Sequence, residues 1–275
     1  MKFRIDHDLH IHSQLSECSS DPAQTPAAIL AYGVRNGFHT LCLTDHLWDE
    51  TVPGAAPWYV PQNRPHVKES LPLPQDKNCR FLFGCETEFD KHFTVALSPE
   101  HYDEFDFIIV PTTHLHMHGL TIDAEEYGSI EGRAYLWVKR FEEFLKTDVP
   151  AGKTGIAHLT DGLIGGPGGN GDEDHWRRHI GVVALLKEED MGRLFTGAAK
   201  KNIGIELNMN IFRYTDAELP LILRPYRIAK ECGCKFYLGS DAHHPKGLED
   251  APARFERMVD LLELTEDDKY DFVRR

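Results

Sequence analysis

Positive charge is in short supply in this chain. Its 30 lysines and arginines stand against 44 aspartates and glutamates, a formal net charge of -14 with the histidines neutral. A nucleic-acid surface needs a basic stripe to displace counterions from phosphates, so this balance argues against nucleic acid as a partner. Long apolar runs are missing too. None approaches the roughly 20 residues that span a bilayer, and Met1-Lys2-Phe3-Arg4-Ile5-Asp6 meets an acid before a signal-peptide core could form. The expectation is a soluble, cytoplasmic protein with no membrane partner. Cysteine is sparse: Cys18, Cys42, Cys79, Cys85, Cys232 and Cys234 show no disulfide-framework spacing. Cys42 and Cys85 fall inside apolar runs and read as buried thiols, and Cys232-Gly233-Cys234 reads as a helix-ending turn. No Pro/Ser-rich linker, charge block or repeat divides the chain, so residues 1–275 are expected to form one domain. At 41% hydrophobic residues the chain can supply one large core.

What is present is an alternation of strand-like and helix-like segments. Seven short apolar runs read as strands: Phe3–Ile11, His39–Thr44, Arg80–Glu86, Phe105–Thr112, Thr154–His158, Gly204–Asn208 and Lys235–Gly239. Helical patterns cover Pro26–Asn36, Arg133–Lys146, Val183–Lys201, Asp216–Glu231 and Pro252–Leu264. Such alternation predicts an α/β fold with a mostly parallel sheet and helices outside. In the first run, Phe3, Ile5, Leu9 and Ile11 share one face, and Arg4, Asp6, Asp8, His10 and His12 the other. Two irregular segments, near 48–77 and 162–176, are too long for plain connectors and are expected on the rim of a site. The glycine stretch in the second lacks the Lys-Ser/Thr ending of a phosphate loop.

The chemistry gathers where these runs end. In order, the ends carry Asp8-x-His10-x-His12, Thr44-Asp45-His46, Gly84-Cys85-Glu86, His114 after Pro111-Thr112-Thr113, Ala157-His158, and Gly239-Ser240-Asp241-Ala242-His243. A lone histidine ending a strand is usually structural. Six such stations at one end of successive strands point instead to a metal centre, because in α/β barrels chemistry is built on that rim. Mixed imidazole and carboxylate ligands favour zinc, manganese or iron over calcium. Water shared by two such cations loses its proton near neutral pH, giving a hydroxide nucleophile without Ser or Cys. Asp8 and Asp45 are expected to orient neighbouring imidazoles as acceptors. His116 and His118 alternate with His114 and are rim residues, and His175, His179 and His244 read as surface histidines.

The order HxH, TDH, GxE, H, AH and SDAH resembles the polymerase-and-histidinol-phosphatase superfamily of metal-dependent phosphoesterases, over nearly the whole chain from Asp8 to His243. The resemblance implies a distorted (β/α)7 barrel with three divalent metal ions at its rim. It implies that His10, His12, Glu86 and Asp241 hold one ion, with Glu86 bridging to a second completed by His114 and His158. Glu17, His46 and His243 would hold the third, Glu17 standing where many members have Ser-Asp-Gly. Asp241 and His243 are also candidates to shuttle a proton. Ile205-Glu206-Leu207-Asn208 resembles a strand of histidinol phosphatases that is followed by a phosphate-binding arginine, which makes Asn208 and Arg213 substrate-binding candidates. Arg suits phosphate by its bidentate geometry. Arg177, Arg178 and Lys246 have no positional support.

The expected function is hydrolysis of a small-molecule phosphate ester at a trinuclear site, with histidinol phosphatase as the specific alternative. An amidohydrolase-like C–N hydrolase shares the HxH, H, H, D order, but commonly bridges its metals with a modified lysine or lacks the third site. A non-catalytic metal-binding domain usually loses ligands, whereas every station here is filled.

Overall fold

Short strands and helices follow one another along the chain of this computed structural model, which describes residues 1–19, 21–123, 129–164 and 173–274, and at 173–177 and 273–274 only the backbone. The first half holds β1 (His7–Ile11), α1 (Pro26–Arg35), β2 (Thr40–Leu43), β3 (His46–Leu47), α2 (Arg64–Val67), β4 (Arg80–Phe83), β5 (Cys85–Thr87) and β6 (Ile108–Pro111). Then come α3 (Ile130–Phe144), β7 (Thr154–Ala157), α4 (Glu173–Leu185), α5 (Glu188–Lys200), β8 (Gly204–Leu207), α6 (Leu219–Ile222), α7 (Arg224–Glu231), β9 (Lys235–Leu238) and α8 (Pro245–Leu261). Among the described residues no helix is long and apolar enough to cross a membrane.

Every strand pairing is parallel, as the alternation predicts. The expected distorted (β/α)7 barrel is borne out only as far as an α/β fold with parallel sheets, however. The strands form a three-stranded sheet, β1-β2-β4, and a six-stranded sheet, β3-β5-β6-β7-β8-β9, and neither closes on itself. The reason is local. β2 and β3 are one run interrupted at Thr44-Asp45, where the Thr44 hydroxyl takes the Ile11 N–H at 3.1 Å in place of a backbone partner. β4 and β5 are one run interrupted at Gly84, where a side chain would stand 2.5 Å from the Phe107 carbonyl. Among the described residues, the ladder between β1 and the β9 side is a single bridge, Ile11 to Ala242 just past β9. Side chains do the rest: His7 Nε2 accepts the Leu238 N–H at 3.0 Å and Asp8 Oδ1 accepts that of Ser240 at 2.9 Å. Each backbone donor is satisfied without a continuous ladder.

The same irregularity overturns the expected faces of β1. Its register against β2 shifts between Asp8 and Ile11, which resets the period-2 alternation. Asp8 therefore meets the Tyr32 hydroxyl of α1, while Leu9 packs in an inner cluster with Cys42, Phe107, Ile109, Ala157, Tyr237 and Tyr270. Ile11 joins the larger cluster that lies between strands and helices. The inner cluster depends on Gly155, since any side chain there would run into the Tyr237 ring.

Helix boundaries follow caps more than apolar periodicity. Thr25 caps α1 and Ser129 caps α3, each side chain accepting an N–H of the first turn, so α3 begins three residues before Arg133. The single helix expected over Val183–Lys201 is two, α4 and α5, breaking at Leu186-Lys187. The helix over Asp216–Glu231 likewise divides into α6 and α7, with Pro at the start of each. α8 starts at Pro245 behind a His244 cap and carries Pro252 inside it, not at its start. Cys42 and Cys85 are buried as expected, and the Cys232 and Cys234 thiols turn to the α5 carbonyls of Gly192 and Phe195.

Candidate metal centre

The strand ends bring nearly all of the expected ligands together. Four groups have ligand atoms within 4.8 Å of one another: His10, His12, Glu86 and Asp241; Glu86, His114 and His158; His12, His46 and His243; and His10, His158 and Glu206. The first two reproduce the expected sets. In the third, His12 stands where Glu17 was expected; Glu17 is exposed, outside all four groups, with its backbone N–H on Gln62 Oε1 at 3.0 Å.

Glu86 sits at the centre. Its position follows from register, since His46 on β3 pairs directly with Glu86 on β5. Oε2 lies 3.0 Å from His46 Nδ1, 3.3 Å from His12 Nε2 and 3.4 Å from His10 Nε2. Oε1 lies 3.8 Å from both His114 Nε2 and His158 Nε2. Both oxygens are buried without a hydrogen-bond partner among the described residues, as are His46 Nδ1 and His158 Nε2. Buried polar atoms are almost always satisfied, so orphans converging on one point suit a cation-binding site. Asp241 adds Oδ1 at 3.2 Å from His12 Nε2 and Oδ2 at 3.2 Å from His158 Nε2. Asp241 and His158 both hold left-handed backbone, φ 52° and 55°, a conformation costing about 1–3 kcal/mol that functional sites tend to retain.

The charges show what the centre demands. Burial opposes the Glu86 and Asp241 anions, but facing imidazoles hold both well below the usual carboxylate range. Burial likewise opposes protonation of His10, His12 and His158, yet the surrounding carboxylates raise all three, His158 to about 9. The cluster calls for positive charge, which protons or divalent cations can supply.

Three of the rings are also held from behind. Glu206 Oε1 meets His10 Nδ1 at 2.5 Å, and Glu88 Oε2 meets His114 Nδ1 at 2.9 Å. Ser16 donates its one hydroxyl proton to Asp45 at 2.7 Å, so it accepts from His12 Nδ1 at 3.1 Å, leaving His12 Nε2 as the basic nitrogen. Asp45 thus orients an imidazole through Ser16, while among the described residues Asp8 bonds no imidazole nitrogen and serves the β1–β9 seam. Sequence reasoning missed Glu88 and Glu206. The signals were there: Glu88 follows Glu86 at i+2, and Glu206 is an acid inside an apolar strand. It missed Arg140 of α3 as well, whose buried guanidinium binds the carbonyls of Phe89, Asp90, Thr112 and Thr121 and so fixes the segments on either side of Glu88 and His114.

A cavity of about 730 Å³ opens over this cluster. Its wall includes Trp58, Tyr59, Cys18, His116, Asp161 and Arg213, so the irregular 48–77 segment does border the site. Asn208 is buried and is not part of that wall. His116 donates from Nδ1 to the Gly162 carbonyl at 3.2 Å, and His118 is exposed. His179 and His244 also line the cavity; His179 is buried, its Nε2 accepting the Ile164 N–H at 2.9 Å, which corrects its reading as a surface residue, while His244 is exposed as expected. Lys246 pairs with Asp250 on the surface, and Arg178 is exposed. The glycine stretch and the side chains of His175 and Arg177 lie outside the described residues.

Fold and site together define a class: an α/β protein with a candidate metal centre at the C-terminal ends of parallel strands. The fold is similar to that of a histidinol phosphate phosphatase from Lactococcus lactis subsp. lactis, complexed with zinc, L-histidinol and phosphate, at 18% identity and TM-score 0.59 over 92% of this chain and 93% of that one. The likeness to histidinol phosphatases expected from the ordered strand-end residues therefore holds at the level of the fold. A probable 2-pyrone-4,6-dicarboxylic acid hydrolase from Acinetobacter baumannii, with citric acid bound, aligns at 12% identity and TM-score 0.46 over 99% of this chain and 100% of that one. No protein-family model matches the sequence, and no curated protein does.

Proposed function

We propose that this protein is a metal-dependent phosphoesterase acting on a small-molecule phosphate monoester, with three divalent cations held by the histidines and carboxylates around Glu86. The observation that carries this reading is Glu86 itself, a buried carboxylate whose two oxygens face separate sets of imidazoles. We assign His10, His12, Glu86 and Asp241 to one ion, and Glu86, His114 and His158 to a second. His12, His46 and His243 are assigned to the third, with Glu17 beside it. Zinc, manganese or iron bound there would supply a hydroxide nucleophile at neutral pH and neutralise phosphate oxygens.

The chain's own groups do the rest. Arg213, on the cavity wall, holds the phosphate by paired N–H donors. His243 Nδ1 lies 2.9 Å from the Asp241 carbonyl and donates to it, so His243 Nε2 is the nitrogen left to take a cation or a proton. Because that nitrogen is assigned to the third ion and Asp241 is held well below the usual carboxylate range, neither carries a proton to give, and water beside them is our candidate for protonating the leaving oxygen. Trp58 and Tyr59 form one side of the cavity. L-Histidinol and phosphate in the structurally similar enzyme make histidinol phosphate the first specific substrate to try.

The test is an assay of protein loaded with zinc, manganese or iron on p-nitrophenyl phosphate, bis(p-nitrophenyl) phosphate, p-nitroacetanilide and histidinol phosphate. The monoesters should turn over. No ester turnover with any of the three metals sinks the reading, and cleavage of the anilide alone replaces it with C–N hydrolysis.

A further inference from the structure

We propose that Tyr59, carried on the irregular segment between β3 and β4, is a positioning residue for His114 and acts through Glu88. The proposal rests on the reading of His114 as a metal ligand, and not on which ester is cleaved. Tyr59 is 1% exposed, its ring packed 5.6 Å from Trp48 and 4.7 Å from Trp58. Its hydroxyl donates to Glu88 Oε2 at 3.2 Å, and His114 Nδ1 donates to the same oxygen at 2.9 Å. Glu88 Oε1 is taken by the Phe89 N–H at 2.8 Å. A carboxylate oxygen has two acceptor directions, so one oxygen serves both donors. The Phe89 bond restrains one end of the carboxylate, and the Tyr59 bond restrains the end that His114 uses. With Nδ1 as donor, His114 presents Nε2 as a lone pair toward Glu86.

The segment that carries Tyr59 is itself pinned on two sides. Asp49 at its start accepts from His101 Nδ1 at 2.6 Å and from the Ser98 N–H at 3.0 Å. Further on, Gln62 accepts the Glu17 N–H at 3.0 Å, and His66 Nε2 donates to the Leu15 carbonyl at 2.9 Å. This segment is therefore part of the frame of the centre, supplying a hydrogen bond from outside the series of strand ends.

Tyr59→Phe removes the hydroxyl and keeps the ring. Zinc titration of the metal-stripped variant, against a chelating dye, should show one ion weakened about 10-fold and the others unchanged. In turnover kcat should fall while KM stays. A merely structural role would lower the melting temperature of the stripped protein and leave zinc affinity untouched. In a Glu88→Ala background, Tyr59→Phe should add nothing, because the two act as one unit. Zinc affinity equal to the parent's, or an undiminished effect on top of Glu88→Ala, overturns the proposal. Should Tyr59→Phe fail to fold, nitrogen NMR of the stripped parent decides: the Nδ1–H tautomer of His114 is expected, and the Nε2–H tautomer overturns it. A protein that cleaves no phosphate ester yet loses zinc affinity in Tyr59→Phe would refute the function proposed above and leave this inference standing.

Discussion

Glu206 Oε1 lies 2.5 Å from His10 Nδ1, while its Oε2 accepts the backbone N–H of His158 at 3.1 Å. One buried carboxylate thereby fixes the ring of one candidate ligand and the left-handed backbone of another. Gly239 leaves room for it, since a side chain there would strike the Glu206 carboxylate and His10 Cβ. Glu206→Gln should keep the fold and weaken metal binding about 10–100-fold, the usual cost of losing a partner behind a ligating histidine. Gly239→Ala should act in the same direction, with about 1–3 kcal/mol of destabilisation from overpacking. Metal titration and chemical unfolding of the two variants check this, and unaltered affinity in Glu206→Gln would count against the role.

His12 belongs to two of the four ligand groups and carries no part of the apolar core. His12→Ala should reduce turnover by on the order of 10²-fold or more, since misplacing a reacting centre by about 1 Å already costs that much. The far-UV circular dichroism should be unchanged. Wholesale unfolding would instead mark the metal as structural.

The strand ends were legible because each run is a short apolar stretch that stops at a polar residue with metal-ligating chemistry, and order along the chain maps onto order around the fold. His10, His46, Glu86 and Asp241 could be found that way. Asp8 could not, because a register shift inside β1 turned its side chain to Tyr32, and alternation is only as good as the ladder that enforces it. Closure of the sheet was not legible either, since it is decided by whether His7 and Asp8 side chains or backbone groups take the Leu238 and Ser240 N–H bonds. Tyr59 lay in a proline-rich segment with no periodicity, and nothing in its spacing pointed to a contact with Glu88.

Metal binding should release protons. His10, His12 and His158 all bind protons more tightly than free histidine, against the opposing effect of burial, because Glu206, Asp241 and Glu86 face them. A ligating imidazole must give that proton up, so affinity should fall as pH falls. Calorimetric zinc titrations of the stripped protein near pH 7.5, in two buffers of different ionisation enthalpy, measure the number released. Zero protons would show that the rings are already neutral.

Acid stability should be governed in part by the β1–β9 seam. Lys269, 2% exposed at its side chain, holds Asp6 at 3.0 and 3.1 Å, and His7 Nδ1 donates to Asp6 at 2.9 Å. Burial alone would raise the Asp6 carboxyl, but His7 and Lys269 bring it far below the ordinary range. A depressed carboxyl adds stability that is complete above its unfolded value, about 4, and is lost as pH falls from there. His7, lowered chiefly by burial, adds a second loss in the same direction below about pH 6.5. Asp6→Asn should cost about 3 kcal/mol at neutral pH, because the buried Lys269 is left with Glu266 as its charged partner. It should also flatten the fall in unfolding free energy below pH 4 relative to the parent. Urea unfolding from pH 7 to 3 measures both, and parallel curves for the two proteins would show that Asp6 is not the titrating group.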